Sequence, residues 1–188
     1  MGAGKSTALD AMSELGAEVL STDKVVHALF GCERVRRALV ERWGPEIAPG
    51  DVVARDAVAE RVFGNARERE WLEGTIWPLV GERVAAWLAL ARAKVPAPRA
   101  AVVEMPLLFE SGMDKACDAT IAVLASEELR RQRAWGRGHA RQDERVARQL
   151  PQEEKARLAT YAVCNDGTPD ELRIELAAVL DELTTPAG

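Results

Sequence analysis

Cysteine is scarce in this 188-residue chain: Cys32, Cys117 and Cys164 stand far apart, and no C-x-x-C pair occurs. That argues against a zinc site built on paired thiolates. An odd count with no secretory pattern fits a reducing, cytoplasmic setting better than a disulfide scaffold. Long apolar runs are missing too. None approaches the ~18 residues that a spanning helix needs, so no membrane segment is expected. Nor is there a surplus of positive charge. Lys and Arg number 25 against 30 Asp and Glu, a formal net charge of -5, which does not point to a nucleic-acid partner. No internal repeat or low-complexity stretch is visible. What remains is 47% apolar and 29% charged residues, a composition able to bury one sizeable core.

The chain begins MGAGKST. Gly4, Lys5, Ser6 and Thr7 match the end of the phosphate-loop pattern G-x-x-x-x-G-K-[ST]. Such a loop works by geometry. Glycines let backbone N–H groups point at the phosphates, and the N-terminus of the following helix adds a favourable dipole. The lysine reaches the outer phosphates, and the hydroxyl binds magnesium. Gly2, Gly4, Lys5, Ser6 and Thr7 suit these roles, with Ser6 the candidate Mg²⁺ ligand. A flexible, Gly-rich tail is the competing reading of so short a match.

The pattern that follows supports the loop. Ala8, Leu9, Met12 and Leu15 recur at helical spacing, and Gly16 stops the helix. AEVLSTD reads as a short strand ending near Asp23. Residues 24–95 read as mostly helical, with ERVRRALVERW, RDAVAERVF, REREWLEGTI and PLVGERVAAWLALARA as separate pieces and Pro78 as a break or a start. Further strands are expected at 100–104, 119–124 and 161–164. Ser126 suits the N-cap of a helix over SEELRRQRAW, GRGHARQ reads as a mobile loop, and two helical pieces follow, split by Pro151. Thr168-Pro169-Asp170-Glu171 has the form of a capping box before the last helix. Strands alternating with helices imply an α/β fold with a mostly parallel sheet. In such folds ligands bind at the carboxyl ends of the strands.

Three further groups could carry chemistry. Asp23 lies eighteen residues beyond Lys5 and can orient or accept the proton of an attacking hydroxyl; it also suits a helix N-cap. His27 lies one turn on and reads as a surface residue. Arginines gather between 130 and 148. Arg130, Arg131 and Arg133 fit a mostly solvated helix face, whereas Arg137 and Arg141 flank the loop at Gly136 and Gly138. A closing arginine there would stabilise the charge of phosphoryl transfer. The five tryptophans read as packing residues.

GAGKST, TDKVVH, RDAVAERVF, MPLLFESG and RVARQLPQEEKARLATYAVCNDG, in that order, make the chain similar to dephospho-CoA kinases from Met1 to about Leu183. The loop alone is common to many NTPases; MPLLFE (Met105–Glu110) and Q-x-P-x-x-E-K (Gln149–Lys155) are more specific. The resemblance implies a P-loop kinase fold and ATP-dependent phosphorylation of the ribose 3′-hydroxyl of dephospho-CoA, with Mg²⁺. It implies one kinase unit over 1–188, a helical insert at 24–95 holding the CoA moiety, and a lid region at 130–150. It makes Gly2, Ala3, Gly4, Lys5, Ser6 and Thr7 the ATP loop and Asp23 the group that activates the hydroxyl, places Arg137 in the lid, and puts Asn165 and Gly167 near the adenine end. The partners it implies are small molecules. Another P-loop kinase and a non-catalytic CoA- or nucleotide-binding relative are the alternatives.

The departures are specific. Ser21 stands where many relatives carry a second Asp, Trp77-Pro78 replaces His-Pro, Glu104 stands where Asp is frequent, and the lid near 138–143 is a few residues shorter. The resemblance also implies a further strand and the loop's first glycine ahead of Met1, roughly ten residues at ordinary strand lengths. That strand is expected between those at 100–104 and 119–124.

Overall fold

The computed structural model describes residues 2–135 and 149–185. They divide into two compact units, Met1–Leu20 with Ala91–Gly188, and Ser21–Leu90. In the first unit, helix α1 (Lys5–Glu14) leads into strand β1 (Glu18–Ser21), within which the chain passes to the second unit. The second unit contains α2 (Thr22–Leu29), α3 (Glu33–Trp43), α4 (Arg55–Val62) and most of α5 (Ala66–Arg92). Back in the first unit come β2 (Ala101–Glu104), β3 (Ile121–Leu124), α6 (Glu127–Trp135), α7 (Gln152–Leu158), β4 (Tyr161–Cys164) and α8 (Pro169–Thr184).

The strands form two sheets of two, β1–β2 and β3–β4. β3 and β4 run parallel, with Ile121 opposite Tyr161 and Leu124 opposite Cys164. Among the described residues β2 and β3 are not hydrogen-bonded neighbours, so the sheet is divided at the place where a further strand is expected between them. No described helix is long and apolar enough to cross a membrane.

The core of the first unit follows from helical spacing. Ala8, Ala11 and Met12 lie on one face of α1, and Leu172, Leu176 and Leu180 recur every fourth residue on α8. They meet, with Val163 of β4, in one apolar cluster. Each large side chain buried there contributes about 1.5–3 kcal/mol. α8 begins with the expected capping box: Glu171 N–H donates to the Thr168 hydroxyl at 3.2 Å, and Thr168 N–H to the Glu171 carboxylate at 2.7 Å.

The second unit packs Val35, Leu39 and Trp43 of α3 with Leu29, Val58 and, from α5, Ile76, Leu79 and Val80. Trp43 meets Trp71 edge to face at 5.1 Å. Glu68 fixes this pair from the side, accepting from Trp43 Nε1 at 2.8 Å and pairing with Arg42 at 2.8 Å. α5 corrects the expectation of a break at Pro78, which lies inside one continuous helix. Proline removes one helical bond, but Ile76, Leu79 and Val80 are buried on both sides of it, and their burial holds the helix together.

Candidate functional site

The loop before α1 is built for close backbone approach. Gly2 and Gly4 have φ of +80° and +85°, where other L-residues are strained. Both are also crowded. A Cβ at Gly2 would lie 2.7 Å from the Arg130 carbonyl oxygen, and one at Gly4 would overlap Asn165 Nδ2. The first helical bond of α1 runs from Ala8 N–H to Gly4 O at 3.0 Å. The N–H groups of Lys5, Ser6 and Thr7 therefore have no acceptor within the helix. No acidic residue sits in that first turn. N–H groups without a helical acceptor, the positive end of the helix dipole and the Lys5 ammonium together suit an anion.

Ser6 and Thr7 are exposed in the same turn. Among the described residues no three His, Cys, Asp or Glu gather to hold a metal ion. A nucleotide-borne Mg²⁺ asks for less: one or two protein oxygens, with phosphate oxygens and water completing the octahedron. The Ser6 hydroxyl, beside the N–H groups that open α1, fits that donor set.

Residues distant in sequence fix the loop. Asn165, at the end of β4 and 4% exposed, donates Nδ2 to Ala3 O at 2.8 Å. Its own N–H continues the strand ladder to Leu124 O at 2.8 Å. Arg133 Nη1 donates to Asn165 O at 3.1 Å and approaches Gly2 O at 3.5 Å. Next in the chain, the Asp166 carboxylate accepts from Ser126 N–H at 2.6 Å, just before α6. Gly167 lies in the turn to α8, where a Cβ would overlap the capping carboxylate of Glu171.

Lys5, Arg130 and Lys155 line one cleft of about 180 Å³, with Ala3, Met105 and Phe109 among its other walls. Arg130 Nε is buried without an acceptor among the described residues. Lys155 is tied down, donating to Pro106 O at 2.9 Å and pairing with Glu110 at 2.9 Å. Glu110 also accepts from Leu150 N–H at 2.7 Å. Burial alone pushes the Glu110 carboxyl up, but hydrogen bonds from Lys155 and the backbone, with the lysine charge, hold it below the usual carboxylate range. Gln152 makes a second tie, accepting from Ala125 N–H at 3.3 Å and donating to Ala125 O at 2.9 Å. The MPLLFE and Q-x-P-x-x-E-K stretches thus meet in space.

The structure brings Gly2, Ala3, Gly4 and Lys5 together with Asn165. It places Asp23 differently from the sequence reading. β1 ends at Ser21, whose extended backbone (φ -102°, ψ 122°) is the N-cap of α2, so Asp23 lies in the first turn of a helix rather than at a strand end. Asp23 is exposed in the second unit. His27 is exposed too and meets Arg55 Nη1 at 2.7 Å. Arg137 and Arg141 lie outside the described residues. Sequence reasoning passed over Arg133, Lys155 and Glu110 as parts of the site. The shared helix face of Arg130 and Arg133, three apart, was the available signal for the first.

Comparison with known proteins places this geometry. A sequence model of the family described as dephospho-CoA kinase matches residues 1–171. The dephospho-CoA kinase of Mesorhizobium japonicum is 35% identical over 191 residues, covering 100% of this chain and 95% of that one. The dephospho-CoA kinase of Deinococcus radiodurans is 35% identical, covering 97% and 88%. The crystal structure of TT1252 from Thermus thermophilus superposes with a TM-score of 0.78 at 31% identity, covering 98% of this chain and 94% of that one.

Proposed function

The chain belongs to the dephospho-CoA kinase family, and we propose that it transfers the γ-phosphoryl group of ATP to the ribose 3′-hydroxyl of dephospho-CoA, giving coenzyme A and ADP. The observation that carries this reading is the loop: two left-handed glycines, then Lys5 opening a ten-residue helix whose first N–H groups have no helical acceptor.

Phosphoryl transfer depends on positioning and on charge stabilisation rather than on covalent help from the protein. Backbone N–H groups of residues 2–7 hold the phosphates, and Lys5 bonds to the outer ones. The Ser6 hydroxyl would hold Mg²⁺ beside the phosphates, and the ion would supply positive charge for the transfer. Asp23 orients the substrate hydroxyl and takes its proton as the oxygen–phosphorus bond forms and the bond to the β-phosphate oxygen breaks. Arg137, assigned from the family resemblance, stabilises the transferring group. Residues 24–95 hold the CoA moiety, residues 130–150 act as the lid, and the enzyme works in the cytoplasm on small molecules.

The test is ADP release with ATP, Mg²⁺ and dephospho-CoA, repeated with nucleoside monophosphates and small sugars. Turnover is expected with dephospho-CoA; turnover only with a nucleoside monophosphate would overturn the assignment. Asp23→Asn is expected to lower kcat about a hundredfold or more. An unchanged kcat would mean that Asp23 neither orients the hydroxyl nor takes its proton.

A further inference from the structure

We infer that Asn165 is a positioning residue that shapes the phosphate loop from behind, and that its effect on catalysis passes through the loop rather than through the nucleotide base. The inference rests on the ATP-loop reading above and adds a residue role to it.

The geometry is specific. Asn165 is held on its backbone side by β3, through its N–H bond to Leu124 O at 2.8 Å. Its carbonyl receives Arg133 Nη1 from α6 at 3.1 Å. What remains is the side chain, and its amide N–H is spent on Ala3 O at 2.8 Å. Gly4 packs so closely on that amide that a Cβ would overlap it. The residue as a whole is only 4% exposed. β3, β4 and α6 therefore converge through one asparagine on Ala3 and Gly4.

A loop with glycines at positions 2 and 4 is conformationally loose by itself. Ordering it only when ATP arrives would weaken binding by the entropy lost at that moment. Asn165 removes most of that loss in advance. It satisfies the one carbonyl between the two glycines and blocks the space into which Gly4 could relax. The N–H groups of Lys5, Ser6 and Thr7 are then aimed before the nucleotide binds, which is what electrostatic stabilisation requires.

This role differs in a measurable way from a contact with adenine. A base contact affects ATP and leaves inorganic tripolyphosphate untouched. Loop positioning affects both equally. The experiment measures binding of ATP and of tripolyphosphate, each with Mg²⁺, to the full chain and to Asn165→Ala and Asn165→Leu, by calorimetry. Asn165→Leu keeps the approximate volume and the backbone bond to Leu124 while losing the donor to Ala3 and adding no charge, so it serves if the alanine variant does not fold. Both variants are expected to bind both ligands about tenfold more weakly, the loss of one buried hydrogen bond with its acceptor stranded. Amide exchange is expected to quicken in residues 2–9 and stay unchanged in α8. KM for dephospho-CoA is expected to hold while KM for ATP rises. Weakened ATP with unchanged tripolyphosphate overturns the inference in favour of a base contact. Unchanged binding of both overturns it outright. Failure of the unaltered chain to bind either ligand counts instead against the ATP-loop reading itself.

Discussion

Glu110 and Lys155 join two stretches 45 residues apart, and cutting that join has a calculable effect. The pair is 15% and 19% exposed at 2.9 Å. The Glu110 carboxylate also takes the Leu150 N–H at 2.7 Å. Glu110→Ala deletes both bonds. Hydrogen bonds to a charged group contribute about 1.5–3 kcal/mol each. Two effects offset the loss. Lys155 keeps the Pro106 carbonyl at 2.9 Å, and the desolvated Oε2, buried without a donor among the described residues, is no longer a burden. A net destabilisation of about 2 kcal/mol remains, after allowing for solvent at a partly exposed pair. For a chain of this size that lowers Tm by about 4–8 °C. Glu110→Gln keeps an acceptor for Leu150 and loses only the charge, so roughly half the effect is expected. The pH dependence has a definite sign. The folded pKa of Glu110 is depressed, so its contribution is complete above the ordinary carboxylate value of about 4.3 and is lost as pH falls through the lower folded value. The gap between wild type and Glu110→Gln is therefore widest at neutral pH and closes in acid. Thermal unfolding followed by circular dichroism reads both effects. A fall in Tm of less than about 1 °C for Glu110→Ala at pH 7, against the ~4–8 °C expected, would refute the reasoning. So would a gap that stays constant into acid.

Two other perturbations follow from the same structure. Lys5→Ala is expected to lower kcat/KM for ATP about a hundredfold by removing one preorganised charge, with Tm nearly unchanged because Lys5 belongs to no ion pair among those described; coupled ADP assays and unfolding curves check the two halves. Leu180→Ala empties a fully buried position, 0% exposed, and is expected to destabilise the first unit by about 2–5 kcal/mol, read from the urea midpoint with little change in m.

Local patterns were readable wherever the determinants lie within a turn or two. α3 occupies Glu33–Trp43, the stretch marked by Val35, Leu39 and Trp43 at helical spacing. β4 spans Tyr161–Cys164 as expected, and the Thr168–Glu171 box forms as its residue types require. The reading failed where packing outweighs local preference. Pro78 stays inside α5 because buried neighbours on either side outweigh one missing bond. Asp23 looked like a strand end, but the helix starts one residue earlier, at Thr22. The glycine turn and the start of α1 were legible from Gly2 to Thr7. What braces them was not, because Ala3 and Asn165 are 162 residues apart.

The sequence by itself determined the chemistry on offer and the family. It placed glycines ahead of Lys5, a hydroxyl behind it, and the family-specific MPLLFE and Q-x-P-x-x-E-K stretches, since residue identity and short spacing decide which functional groups exist and which local backbone they tolerate. Only the tertiary structure decided which groups act together. It spent the Asn165 amide on the loop, turned Arg133 from a surface charge into a bridge between carbonyls, and fastened Lys155 to Glu110. The physical reason is that a hydrogen bond acts over about 3 Å, while its partners here lie 45 to 162 residues apart along the chain. Proximity of that kind exists only after α1, α8 and the strands have buried their apolar faces.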